Sequence, residues 1–213
     1  MNVGFFTILK RDPIHYILAD VLIRSVRQTM PGVRVTQFTD EQSPGVYGVD
    51  AVLRKPKTRM AVLRMAHQAS VEGDWLFVDT DVVIQRDVRP VFEEAFDIAV
   101  SDRNWSHLPA ATDTFSAAMP HNIGVVFSRS PAFWQVVHDR LLVLPEELQS
   151  WMGDQVAACE VIRSGRFAVK LLAGMEYNYP PSNGDEAWRG RASILHYKGQ
   201  RKPLLLQQMA VSP

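Results

Sequence analysis

Four large apolar residues in a row, Trp75-Leu76-Phe77-Val78, run directly into Asp79-Thr80-Asp81. A half-buried strand alternates apolar and polar side chains. A strand apolar at every position is covered on both faces, as at the centre of a mainly parallel sheet between two layers of helix. This segment therefore commits the chain to a layered α/β architecture. Its strand is expected to extend from Trp75 to Val83. Other short apolar runs read as strands: Val3 to Leu9, Val33 to Thr39, Val49 to Arg54, Phe96 to Val100, Ile123 to Ser128, Phe167 to Leu172 and Ser193 to Tyr197. Helical spacing recurs between them. Ile14, Ile17, Leu18, Val21, Leu22 and Val26 mark a helix over Ile14 to Met30, stopped by Pro31-Gly32. Thr58 to Ser70, Ala132 to Leu144 and Asp154 to Arg163 follow the same pattern. Asp40 to Gly48 reads as a loop, 101–121 as a polar, substrate-facing loop, and Tyr177 to Gly184 as a turn-rich segment. The alternation predicts a single α/β/α sandwich with a mixed, mostly parallel central sheet over residues 1–205, and a short tail at 206–213.

Composition narrows the functional classes. The 213 residues carry 23 basic and 23 acidic side chains, so no global positive field favours nucleic acid or an anionic membrane. Cys159 is the only cysteine, which excludes an intramolecular disulfide and a Cys-x-x-Cys zinc site. Its helical spacing with Ile162 makes it a core residue. No apolar stretch reaches the ~20 residues of a membrane span, and the first residues lack the basic start of a signal peptide. The expectation is a cytoplasmic protein. Dinucleotide, P-loop, zinc-protease and serine-hydrolase motifs are missing from the sequence.

Asp79 and Asp81 stand two positions apart where the buried strand ends. In extended backbone such side chains share a face. Two neighbouring carboxylates repel unless water or a cation lies between them. Hard oxygen ligands favour Mg²⁺ or Mn²⁺. Open α/β sheets bind ligands at the carboxyl ends of their strands, where this pair falls. The competing reading is a solvated turn at a strand end.

The segment Trp75 to Ile84 resembles the Asp-x-Asp region of GT-A-fold glycosyltransferases. It is most similar to the retaining family (family 8-like) that includes glycogenin and the bacterial lipooligosaccharide galactosyltransferases. Further landmarks follow in the family's order. His121-Asn122-Ile123-Gly124-Val125-Val126 resembles its Asn-x-Gly-Val segment. Gly153-Asp154-Gln155 is similar to its Asp-Gln pair. His196-Tyr197-Lys198-Gly199-Gln200-Arg201-Lys202-Pro203 resembles its His-x-x-Gly-x-x-Lys-Pro motif. The resemblance implies a divalent cation, Mn²⁺ or Mg²⁺, held by Asp79, Asp81 and His196, with the imidazole favouring Mn²⁺. It implies Lys198, Gly199 and Lys202 around the diphosphate of a nucleotide sugar, with a UDP-sugar the expected donor. Asn122, Gly124, Asp154 and Gln155 would lie beside the donor sugar. Arg59, at the start of the helix before the Asp-x-Asp strand, would be a basic donor contact, and Asp102 would meet donor or acceptor hydroxyls.

Two positions depart from the family pattern. Leu204 stands where a tryptophan usually follows the Lys-Pro pair. The first strand lacks the usual Asp or Asn that reads the base, leaving Thr7 as the nearest polar candidate. Trp105, Tyr177, Tyr179 and Trp188 are candidate stacking platforms for an acceptor sugar, or loop anchors. The implied activity is transfer of a hexose to an acceptor hydroxyl on a saccharide, a protein or modified DNA, with retention at the anomeric carbon. The alternatives are a non-catalytic nucleotide-sugar-binding protein and a phosphohydrolase of the haloacid dehalogenase type.

Overall fold

The computed structural model describes residues 1–8, 14–102, 119–150 and 152–211. In chain order the elements are β1 (Asn2–Phe6), α1 (Ile14–Thr29), β2 (Arg34–Asp40), β3 (Ala51–Lys55), α2 (Met60–Gln68), β4 (Trp75–Val78) and β5 (Val82–Ile84). They continue with β6 (Ile98–Asp102), β7 (His121–Ser128), α3 (Pro131–Leu142), α4 (Glu146–Ser150), α5 (Gly153–Arg163), β8 (Val169–Leu172), α6 (Gly174–Tyr177), α7 (Glu186–Arg189), β9 (Ile194–His196) and α8 (Lys202–Val211). Single 3₁₀ turns cover Arg89–Glu93 and Gly199–Arg201.

Seven strands form one sheet in the order β3-β2-β1-β4-β7-β6-β8. β7 runs antiparallel to both its neighbours, and every other pairing in this sheet is parallel. The sheet is thus the mixed, mostly parallel one expected. β4 lies at its centre and all four of its residues are buried. Alternation divides them between two cores. Leu76 and Val78 join Val3, Phe5, Leu22, Val26 and Phe127 on the α1 face. Trp75 and Phe77 join Phe38, Phe133, Trp134 and Val137 under α2, α3 and α5. Each large side chain buried this way stabilises the fold by roughly 1.5–3 kcal/mol before ordering costs. α3 begins cleanly because Ser130 accepts a 3.2 Å hydrogen bond from the Phe133 N–H and Pro131 takes the first turn.

The expected strand over Trp75 to Val83 is two strands. β4 ends at Val78, and the last ladder contact there is the Asp79 N–H donating to the Gly124 carbonyl at 2.8 Å. After Asp79-Thr80-Asp81 the chain leaves the large sheet. Val82-Val83-Ile84 then pairs antiparallel with β9 in a separate two-stranded ribbon. Apolar periodicity sees burial on both sides of the break and is blind to the change of partner. The helices α4, α6, α7 and α8 were also not expected. Three of them are five residues or shorter, too brief for a periodic signal. α8 runs through the boundary anticipated between residues 205 and 206. No helix among the described residues is long and apolar enough to cross a membrane.

Candidate active site

The break after Val78 creates the site. β4 is flanked there by β1, through the pair Phe5 and Val78, and by β7, through Val78 and Val125. A cavity of about 740 Å³ opens across these three strand ends. Phe6 and His15 line its β1 side, and Asn122, Gly124, Asp154 and Gln155 its β7 side.

Asp79 and Asp81 line this cavity, and β9 brings His196 to them because Val82 is the strand partner of His196. Ligand atoms of the three residues lie within 4.8 Å of one another. The imidazole Nε2 is 3.5 Å from Asp79 Oδ2 and 3.3 Å from Asp81 Oδ1. It is fully buried and makes no hydrogen bond. A buried nitrogen left without a hydrogen-bond partner costs about 1–3 kcal/mol. Here it is aimed at two carboxylates. Two carboxylate oxygens and one imidazole nitrogen are a fitting donor set for a divalent cation of the Mn²⁺ or Mg²⁺ class.

The electrostatics agree with that fit. Burial alone would push both carboxyl groups up. Arg64 and then His196 hold Asp79 below its ordinary value, and His196 and Lys202 hold Asp81 far below it. Burial opposes charge on the His196 ring as well, yet Asp81 and Asp79 raise its pKa overall. The pair of carboxylates stays ionised and draws positive charge from every side. Lys202 Nζ lies 3.0 Å from Asp81 Oδ2. Arg64 is 3.0 Å from Asp79 Oδ1 and 3.4 Å from Asp154 Oδ2, and donates to the Ile123 carbonyl at 3.0 Å.

Gly124 is needed for this geometry. A Cβ there would stand 2.3 Å from His196 Cε1 and 2.5 Å from Asp79 Oδ2. Lys198, Gly199 and Lys202 line the cavity beside the acidic pair. Gly199 adopts a φ of +63°, a left-handed conformation that suits glycine. Asn122 and Gln155 meet on the β7 side, with Asn122 Nδ2 3.4 Å from Gln155 Oε1. Asp154 is buried in the first turn of α5. It is not the N-cap, a position held by Met152 at a φ of +66°. Burial raises the Asp154 pKa, Arg64 works against this, and Asp79 adds to it.

Several expected residues lie elsewhere. Arg59 precedes α2 and turns to Glu146 and to Gln149 Oε1, at 3.1 Å for the latter. Arg64 takes the place at the site. Five residues along a helix amount to about 140° of rotation, so the two arginines serve different faces. Thr7 is buried beside β2, with its N–H on the Phe38 carbonyl at 3.1 Å, and Phe6 and His15 form the cavity wall instead. His15 Nδ1 lies 3.1 Å from Thr80 Oγ1. Asp102 ends β6 opposite His121, outside the cavity wall. Tyr177 packs edge-on against Phe127. Tyr179 is buried and donates to Asp185 Oδ2 at 2.9 Å. Both are loop anchors. Trp188 is half exposed beneath Arg191. Trp105 lies outside the described residues. Cys159 is buried in α5, as expected.

Sequence reasoning missed Asn178 altogether. This residue has no exposed surface and bonds His196, Asn122 and Ser101. The only signal was an asparagine in a segment dense in turn residues, which reads as a loop.

No protein-family model and no curated protein matches the sequence. Solved structures do share the fold. The chain superposes on the galactosyltransferase LgtC, solved with donor and acceptor sugar analogues, at a TM-score of 0.62 and 13% identity, covering 94% of this chain and 88% of that one. A glycosyltransferase involved in glycosylation of the PBCV-1 major capsid gives 0.63 and 12%, covering 97% and 100%. GlyE of Streptococcus pneumoniae gives 0.61 and 17%, covering 95% of this chain, which spans 55% of GlyE. These likenesses establish the GT-A-like α/β/α architecture expected from the motifs.

Proposed function

We propose that this chain is a metal-dependent glycosyltransferase, moving a hexose from a nucleotide-diphosphate sugar, a UDP-sugar, to an acceptor hydroxyl with retention of configuration. The observation that carries the reading is the Asp79–Asp81–His196 cluster at the end of the central strand, with an imidazole nitrogen buried and unbonded between two carboxylates. Asp79, Asp81 and His196 would hold Mn²⁺ or Mg²⁺, whose chemistry is Lewis-acid stabilisation of a departing diphosphate.

This chain's own residues supply the rest. Lys198 and Lys202 neutralise charge on the leaving diphosphate, and the backbone at Gly199 comes close to it. Asn122, Gly124, Asp154 and Gln155 form the polar wall that suits the hydroxyls of the sugar. Phe6 and Met60 give the opposite side of the cavity an apolar surface that suits a base. Arg64 ties Asp79 to Asp154 and so keeps the metal side and the sugar side in register. The Asp154 carboxylate is engaged by Arg64, and the Gln155 amide is no nucleophile. These features favour attack from the side of the leaving group. The acceptor oxygen bonds the anomeric carbon as the bond to the phosphate oxygen breaks, and the acceptor proton passes to that phosphate.

The test is a thermal-shift and calorimetric series with UDP, GDP, CDP, ADP and TDP, each with and without Mn²⁺, followed by donor hydrolysis and transfer assays. A ligand of the native state stabilises by about 2.7 kcal/mol at one hundred times its Kd. The expected result is a Mn²⁺-dependent shift with UDP that Asp81→Asn abolishes without unfolding the protein. Unchanged turnover in that variant would refute the metal role. Binding with no hydrolysis or transfer would favour a sugar-nucleotide-binding protein.

A further inference from the structure

We propose that Asn178 is a positioning residue that fixes the tautomer of His196 and holds its Nε2 lone pair in the acidic cluster; this rests on the metal-binding reading above. A backbone N–H can only donate. The Gly124 N–H points at Asn122 Oδ1 at 3.0 Å, so that atom is the amide oxygen. Asn178 Nδ2 lies 3.0 Å from the same oxygen and 2.7 Å from Ser101 Oγ, so it is the Asn178 amide nitrogen that faces them. The Asn178 oxygen is then the atom 2.8 Å from His196 Nδ1. An amide oxygen accepts, so Nδ1 carries the hydrogen. In the neutral ring Nε2 is left with the lone pair.

The two amides and the Gly124 N–H set the tautomer by themselves. Asn178, Asn122, Ser101 and His196 are all buried. Water does not compete for these bonds, and a flipped amide would leave like groups facing one another. A free imidazole has no such preference. Ligating histidines characteristically donate their second nitrogen to an outer partner, and loss of that partner costs about tenfold to hundredfold in metal affinity. The same chain ends on Asn122, which touches Gln155, so the metal ligand and the sugar-facing wall are held by one set of amides.

Mn²⁺ binding is measured by calorimetry or electron paramagnetic resonance, without donor, in wild type, Asn178→Leu and Asn178→Asp. The leucine removes the acceptor for Nδ1–H, and the aspartate keeps one. The expected result is a tenfold to hundredfold weaker Kd in Asn178→Leu and affinity within about threefold of wild type in Asn178→Asp. Equal loss in both variants, or no loss in Asn178→Leu, overturns the assignment. Nitrogen-15 spectra of the Mg²⁺-loaded wild-type protein supply a readout that needs no variant. They should show His196 protonated at Nδ1 alone, and a proton on Nε2 alone overturns the proposal. Failure of the wild-type protein to bind Mn²⁺ at all would instead defeat the functional reading, and this assignment with it.

Discussion

Replacing Gly124 by alanine adds one methyl group at the point where Asp79 and His196 meet. The added Cβ would lie 2.3 Å from His196 Cε1, against the 3.4 Å at which ordinary contact begins, so the ring or the strand must withdraw by about 1.1 Å. The strand is pinned on both sides of the residue. Its N–H is bonded to Asn122 Oδ1, and its carbonyl accepts from the Asp79 N–H at 2.8 Å. The Asp79 carboxylate is blocked as well, since Oδ2 would be 2.5 Å from the methyl and Oδ1 is held by Arg64. Gly124 is not among the glycines with positive φ, so alanine suffers no backbone strain. It even gains roughly 0.5–1 kcal/mol by restricting the unfolded chain. Overpacking costs about 1–3 kcal/mol. The net expectation is a loss of up to about 2.5 kcal/mol in stability, read in urea unfolding. The functional effect is larger, because a displacement of about 1 Å at reacting groups costs on the order of a hundredfold. Mn²⁺ affinity and donor hydrolysis should both fall steeply. Gly190→Ala serves as control, since its nearest neighbour is 3.5 Å away. Wild-type Mn²⁺ affinity and turnover in Gly124→Ala would refute the claim that this glycine shapes the ligand cluster.

Two further perturbations follow from buried charge. Arg64→Met strips the buried partner from Asp79 and Asp154, and should cost about 3–5 kcal/mol in urea unfolding. Adding Asp154→Asn in that background should recover part of the loss, because burial already disfavours the Asp154 carboxylate. His67 lies in the core with Nε2 2.9 Å from the Thr39 carbonyl, and burial, with Lys55 adding to it, pushes its pKa down to about 4. Its folded value is below the unfolded 6.5. The stability it contributes is therefore complete above about pH 6.5 and is lost as pH falls toward 4, a span on the order of 3 kcal/mol. His67→Gln keeps a donor for Thr39 and should flatten unfolding free energy between pH 6.5 and 4.5; an unchanged slope would refute this.

The parts of the fold that could be read in advance are those with a local signature. β4 was legible because four consecutive apolar residues leave no polar face, and Asp79 and Asp81 because residues two apart on a strand share a side. His196 has no such local mark. It was found through its resemblance to a motif, and the structure explains its place through pairing with a strand more than one hundred residues earlier. Pairings of that range have no period in the sequence. The same holds for β5, whose apolar character fits either sheet. That Arg64 and not Arg59 reaches the cavity is not legible in sequence, because the helix phase relative to the cavity is unknown before the helix is docked. Asn178 was invisible for a related reason. Polar side chains in a turn-rich segment are ordinarily solvated, and this one is interior because it meets Ser101 of β6, Asn122 of β7 and His196 of β9.

The departure of β5 from the large sheet has a consequence for the order in which the molecule is made. All seven strands of the large sheet are present once the ribosome has passed Leu172. His196, Lys198 and Lys202 come afterwards, on the returning ribbon and the helix that follows. The acidic pair is therefore made before its imidazole and its lysines, and the core on the α1 face is made before Ile194 of β9, which completes it. A chain interrupted in that interval would hold every strand of the sheet and yet lack both the third member of its acidic cluster and part of that core. The returning ribbon is what completes the site.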